Sequence, residues 1–149
     1  MKYTYGKEDL KNYLMDGGLD ILLDEQKFQA LIVERKIAED SGNYYIDAVG
    51  HDDVCLKGIR YETKYTNYIL GKSQLRINSA GENKRNGFDI LRIVDGINRR
   101  IFEIPHDVYF RTARLYGNEF RWSVSYNEGD RVQMDNTRMV LAHEITTKD

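Results

Sequence analysis

The chain has 149 residues and a mass of 17.5 kDa, 41% of them hydrophobic and 31% charged. That composition excludes a disordered chain, and a chain this size buries roughly 70% of its unfolded surface without a metal or disulfide staple. No apolar run nears the ~20 residues of a membrane span, and a net charge of -2 argues against a passive polyanion binder.

One cysteine, Cys55, cannot form an internal disulfide, and Met1–Leu10 lacks the apolar core of a secretory leader. A cytoplasmic single domain over 1–149 is therefore expected. The charge is unevenly spread. Residues 1–56 hold 6 basic and 12 acidic side chains, residues 57–100 hold 10 and 4, and residues 101–149 hold 6 and 8. A basic middle third beside an acidic first third suggests a surface for phosphate with carboxylates near enough to hold cations, although solvated faces of this kind also arise without a partner.

In chain order, Asp9–Met15 reads as a short helix stopped by Asp16-Gly17-Gly18. Leu19–Glu39 reads as a longer helix or two joined ones, with Phe28, Leu31, Ile32 and Arg35 at three- and four-residue steps, ended by Ser41-Gly42. The period then changes. Asn43–Val49 is rich in aromatic and β-branched residues and reads as a strand, followed by a turn cluster at Gly50-His51-Asp52-Asp53. Val54–Tyr65 reads as one strand broken near Gly58 or as a strand pair. Phe88–Val94 and Arg99–Ile104 flank Asp95-Gly96-Ile97-Asn98, a hairpin signal. After the only proline, Pro105, the stretch Asp107–Tyr116 suggests a helix capped by Asp107, and Phe120–Ser125 and Met139–His143 suggest strands. The order implies an α+β domain whose central sheet is mixed, largely antiparallel and flanked by helices.

Several chemistries are missing. Gly71-Lys72-Ser73 resembles the end of a phosphate-binding loop, but Thr66 stands where its first glycine is required. There is no GxGxxG, CxxC or HExxH, Cys55 has no supporting nucleophile motif, and His51, His106 and His143 share no ligand spacing. His51-Asp52-Asp53 could bind a metal, though turn-favouring residues explain it equally.

The informative stretch is Tyr44–Asn67. Glu62 and Lys64 are two apart on a segment of strand composition, so both side chains leave one face. Asp47 sits near the end of the preceding strand candidate, and a strand pair can bring it to them. Two carboxylates supply the hard oxygen ligands Mg²⁺ prefers, and an adjacent ammonium can orient an attacking water or offset charge at phosphorus.

This stretch resembles the PD-(D/E)xK nuclease superfamily, in particular its small type II restriction endonucleases. The core of that superfamily is a helix, a hairpin carrying an acidic residue, and a strand carrying Glu-x-Lys. Asp47-Ala48-Val49 and Tyr61-Glu62-Thr63-Lys64 carry the resemblance over about 25 residues, with a looser echo through Phe88–Phe110. It implies a restriction-endonuclease-like fold, Asp47 and Glu62 as metal ligands with the Thr63 carbonyl as a third, and Lys64 as the catalytic lysine. Ile46 stands where the motif's proline would be. The run from Asp47 to Glu62 is long, which leaves Asp52 or Asp53 as an alternative upstream acid; Asp47 is preferred because it ends a strand rather than lying in a turn. Glu34 falls where an auxiliary acid can sit, but its helical position reads as a surface glutamate.

Downstream, Asn67, Lys72, Gln74, Arg76, Asn78, Lys84 and Arg85 are side chains that a DNA groove uses, fixing phosphates or pairing with base edges. An exposed polar hairpin is the alternative. Tyr61, Tyr65 and Tyr68 read as sheet packing, and Trp122 as core or interface. The function expected is Mg²⁺-dependent, sequence-specific cleavage of double-stranded DNA, of restriction type or as a homing or phage-encoded enzyme. By analogy it would act as a homodimer, with Leu19–Leu23 or Met139–Leu141 as apolar area. The rival expectations are a non-catalytic nucleic-acid-binding module and a protein-interaction domain.

Overall fold

The computed structural model describes residues 1–14, 26–48, 50–66, 74–79, 87–112, 114–116, 119–125 and 134–147. Helix α1 spans Lys7–Tyr13, its start held by the Gly6 N–H donating to Asp9 Oδ2 at 3.0 Å. Helix α2 spans Gln26–Asp40. Its buried stripe is Val33 and Ile37, one turn apart, with Ala38 beside them. Leu31, expected on the inner face, is exposed. Two residues are about 200° of helix rotation, so a helix seated on Val33 turns Leu31 outward.

Strands β1 (Tyr44–Ala48) and β2 (His51–Val54) form an antiparallel hairpin whose register slips at a bulge between Tyr45 and Ala48. At the turn Gly50 has φ +93°, and a Cβ there would lie 2.8 Å from the Gly87 Cα, so only glycine fits. The segment expected to be a turn is thus a strand from His51 onward. Strand β3 (Arg60–Thr66) pairs antiparallel with β2 through Asp53 and Tyr61, after a turn in which Gly58 N–H donates to the Cys55 carbonyl. The two-strand alternative for Val54–Tyr65 is the one found.

Strand β4 (Gln74–Ser79) leaves this sheet. It joins β7 (Arg114–Tyr116) and β8 (Glu119–Ser125) in a three-stranded antiparallel sheet of order β4-β8-β7. The main sheet resumes with β5 (Ile90–Asp95), parallel to β3, and β6 (Arg100–Pro105), antiparallel to β5, giving the order β1-β2-β3-β5-β6. One parallel pair among antiparallel ones is the mixed sheet expected, and the fold is α+β. Asp95 closes the β5–β6 hairpin by accepting the N–H groups of Ile97 and Asn98.

Two expectations are corrected here. Helix α3 (His106–Thr112) ends early, and Arg114–Tyr116, read as its continuation, is β7. Met139–His143, read as a strand, belongs to helix α4 (Met134–Ala142). Val140 is fully buried and Met139 packs on the same core, so that segment is not the free apolar face suggested for a dimer. Leu19–Leu23 and Tyr68 lie outside the described residues.

Strand β5 is buried on both faces. Leu91 and Ile93 point with Phe88, Phe102, Ile104 and Tyr109 into a core closed by α3 and α4. Val94 and Ile101 meet Tyr3, Tyr5, Leu10, Val33 and Ile37 in a second core under α1 and α2, against which Tyr65 also packs. Each fully buried side chain of this size contributes roughly 1.5–3 kcal/mol. The two cores clamp β3 and β5 from both sides, which fixes the backbone on which Glu62 and Lys64 stand. No helix among the described residues is long and apolar enough to cross a membrane.

Candidate active site

Glu62 and Lys64 occupy alternate positions of β3, opposite Leu91 and Ile93 of β5. Alternation sends both to the α3 and α4 side of the sheet, and the Lys64 ammonium lies 3.4 Å from Glu62 Oε1. Their side chains are 20% and 34% exposed, open enough to meet a ligand. The sequence expectation of a shared face holds.

Thr63, between them, points the other way and is buried. Its backbone N–H donates to Asp52 Oδ2 at 2.7 Å and its hydroxyl to Asp52 Oδ1 at 3.0 Å. The β2–β3 ladder runs from Val54–Arg60 to Asp53–Tyr61, and just beyond it the Asp52 carboxylate takes the place of a backbone acceptor. Burial pushes the Asp52 carboxyl up to about 9, reinforced by its hydrogen bond with the Asp53 side chain; the Thr63 N–H pulls it down, and the charges of Glu34 and Glu62 push it further up. Glu34 is therefore not the plain surface glutamate that its helical spacing suggested. It is half-buried, and its charge acts on the carboxyl that Glu62 also acts on.

Asp53 has a different role. Its two oxygens accept from Arg92 Nη1 at 2.9 and 3.0 Å, and Asn43 Nδ2 donates to it at 2.8 Å. Both members of this ion pair are 0% exposed. The Arg92 guanidinium lies over the Tyr61 ring, 4.4 Å from its centroid, which makes Tyr61 a packing residue as expected. Arg92 thus engages both oxygens of Asp53. His51 is also engaged, its Nδ1 lying 2.9 Å from the Gly87 carbonyl. The His51-Asp52-Asp53 run therefore divides among three tasks and does not gather on one ion.

Asp47 lies on β1 in the bulged stretch facing β2, so one whole strand separates its backbone from Glu62. Its side chain is outside the described part, as are Asn67, Lys72, Lys84 and Arg85. Gln74, Arg76 and Asn78 occupy alternate positions of β4, registered on Ser125, Ser123 and Arg121 of β8.

Among the described residues no three His, Cys, Asp or Glu side chains form one metal-holding group. Mg²⁺ does not require three: it is commonly bound by one or two carboxylates, with water and phosphate completing the shell. Asp52 and Glu62 carry hard oxygen donors of the kind such an ion takes, on the neighbouring strands β2 and β3, and the Glu62 charge is felt at the Asp52 carboxyl. Sequence reasoning kept Asp52 as an alternative but placed it behind Asp47, because a four-residue strand between two glycine turns has the composition of a turn. It missed Arg92 because a lone arginine in an apolar run reads as an outward position.

No protein-family model matches the sequence, and no curated protein matches it. Among solved structures the chain is similar to the bacterial homing endonuclease I-Ssp6803I, at 16% identity and a TM-score of 0.48, over 80% of this chain and 88% of that one. At that level of superposition the likeness establishes neither a shared fold nor a shared activity.

Proposed function

We propose that the chain is a divalent-cation-dependent endonuclease that hydrolyses phosphodiester bonds of double-stranded DNA, sequence-specifically and in the manner of restriction enzymes. The observation that carries this reading is the placement of Asp52 and of Glu62-x-Lys64 on the neighbouring strands β2 and β3. They follow helix α2 in the order helix, acid-bearing hairpin, Glu-x-Lys strand. Asp52 becomes the preferred upstream acid, with Asp47 on the same hairpin as the alternative. Asp52, Glu62 and the Thr63 carbonyl would hold Mg²⁺.

When bound, that cation polarises the phosphate and lowers the pKa of water. The chain's own groups do the rest. Glu62 Oε1 anchors the Lys64 ammonium. Lys64 Nζ donates to the attacking water or to a phosphate oxygen, aligning the nucleophile and offsetting charge as it accumulates on phosphorus. No side chain attacks phosphorus, so hydrolysis proceeds without a covalent enzyme intermediate. The basic block 57–100, including Gln74, Arg76 and Asn78 on β4, supplies phosphate and base-edge contacts. Cutting both strands calls for a homodimer, since one chain contributes one such site, and the single cysteine suits a cytoplasmic setting.

The test is incubation with a plasmid and a long linear DNA, in Mg²⁺ and then in EDTA, followed by end sequencing. Cleavage at recurrent short sites, abolished by EDTA, is expected. One rare long site would instead indicate a homing enzyme. Salt-sensitive binding that ignores Mg²⁺ and leaves the DNA intact would overturn the catalytic reading.

A further inference from the structure

We infer that Arg92 is a positioning residue for the candidate metal site, acting through Thr63 on the Asp52 carboxylate; the inference rests on the endonuclease reading, which gives Asp52 its role. The direction of the relay follows from elementary hydrogen-bond chemistry. A guanidinium has only donors. Arg92 Nη1 lies 3.2 Å from Thr63 Oγ1, so the hydroxyl oxygen is the acceptor there. Its single hydrogen is then free for Asp52 Oδ1 at 3.0 Å. With the Thr63 N–H on Oδ2, both carboxylate oxygens are held in place.

Asp53 explains why an arginine is needed. It lies against the same Nη1 atom and would otherwise compete for the Thr63 hydroxyl hydrogen. Arg92 occupies the acceptors of Asp53 and the acceptor side of Thr63 together, leaving Asp52 as the remaining partner of the hydroxyl. The relay crosses three adjacent strands, from β5 through β3 to β2.

Arg92 makes these bonds while leaving others unmade. Its Nε and Nη2 are buried and have no hydrogen-bond partner among the described residues. The Glu103 carboxylate, directly opposite on β6, stays 3.7 Å from Nε, beyond hydrogen-bond reach. Arg92 is thus ion-paired with both acids, while its hydrogen bonds go to Asp53 and Thr63.

The test compares wild type, Thr63→Val and Thr63→Ser in Mg²⁺ titration calorimetry and in the Mg²⁺ dependence of DNA cleavage, with Arg92→Lys as a second probe. Valine keeps the shape and removes the hydroxyl; serine restores it. Outer-shell partners of metal ligands typically carry roughly 10–100-fold in affinity. Thr63→Val should therefore raise the half-saturating Mg²⁺ concentration about tenfold, and Thr63→Ser should restore it. Arg92→Lys should shift half-saturation the same way. Unchanged half-saturation in Thr63→Val, or failure of serine to rescue it, overturns the relay alone. A wild type that neither takes up Mg²⁺ nor cuts DNA overturns the endonuclease reading and the relay with it.

Discussion

The Asp52 carboxylate accepts both hydrogen-bond donors of Thr63, the backbone N–H at 2.7 Å and the hydroxyl at 3.0 Å, and so bridges β2 and β3 where their ladder ends. Its environment pushes the carboxyl up to about 9, so near neutrality the folded chain favours its uncharged form. An asparagine has nearly the same shape and carries no charge. Its oxygen can face the Thr63 N–H, and its NH₂ can donate to the hydroxyl. Asp52→Asn should keep or raise the melting temperature at pH 8 while losing more than the roughly 10–100-fold activity carried by outer-shell partners of a metal. Thermal unfolding and plasmid cleavage measure the two effects. If Asp47→Asn abolishes cleavage and Asp52→Asn does not, Asp47 is the upstream acid.

Glu62 and Lys64 form a partly exposed pair at 3.4 Å. Pairs of this kind contribute about 0–1 kcal/mol to stability, so replacing either residue should leave the fold intact. Their functional effects should separate. Glu62→Gln removes a ligand and should weaken Mg²⁺ binding and cleavage together. Lys64→Ala removes a cation from beside the site, so Mg²⁺ affinity should hold or rise while cleavage is lost. Calorimetry alongside single-turnover cleavage distinguishes them; full cleavage by both variants removes the site assignment.

The buried pair Arg92–Asp53 predicts a large stability effect. Arg92→Met leaves the Asp53 carboxylate 0% exposed without its cation. Breaking such a pair from one side costs about 3–5 kcal/mol, whereas replacing both members costs far less. In urea unfolding, Arg92→Met should lower the midpoint strongly, and the double variant Asp53→Asn, Arg92→Met should recover much of the loss. Equal midpoints for the single and double variants would show that the pair carries no coupling.

The elements readable from sequence were those whose local signals agree with their surroundings. The β5–β6 hairpin announces itself through Asp95–Asn98, and its Asp95 makes the turn contacts its residue type suggests. The shared face of Glu62 and Lys64 follows from a period of two on any strand. What the sequence hid depends on distant partners. Gly50 reads as part of a turn cluster, but its reason is Gly87, far along the chain. Met139 and Val140 read as strand because of their composition, and become helix where α4 seats them on Phe102 and Tyr109. Asp52 and Asp53 are chemically identical neighbours. Only Arg92 on β5 and Thr63 on β3 separate an arginine-paired acid from a threonine-held one, and no local pattern contains that information.

The Arg60–Asp89 contact gives a pH dependence of definite sign. Asp89 accepts the Arg60 backbone N–H at 2.9 Å and its guanidinium through Nε and Nη2 at 3.1 Å each. Its own N–H returns to the Arg60 carbonyl, and its carbonyl accepts from His106, so it ties together the starts of β3, β5 and α3. The side-chain hydrogen bonds from Arg60 hold the Asp89 carboxyl below its ordinary 3.8. A carboxyl lowered by folding stabilises above its unfolded value and loses that contribution as pH falls through its folded one. Because the side chain is 45% exposed, the pair is screened, and its contribution is under about 1 kcal/mol. Asp89→Asn should therefore be slightly less stable than wild type above about pH 5, and the two should converge as pH drops below 3.8. Urea unfolding at pH 7, 5, 4 and 3 measures this difference. A gap that stays constant across the series would show that the charge on Asp89 does not contribute.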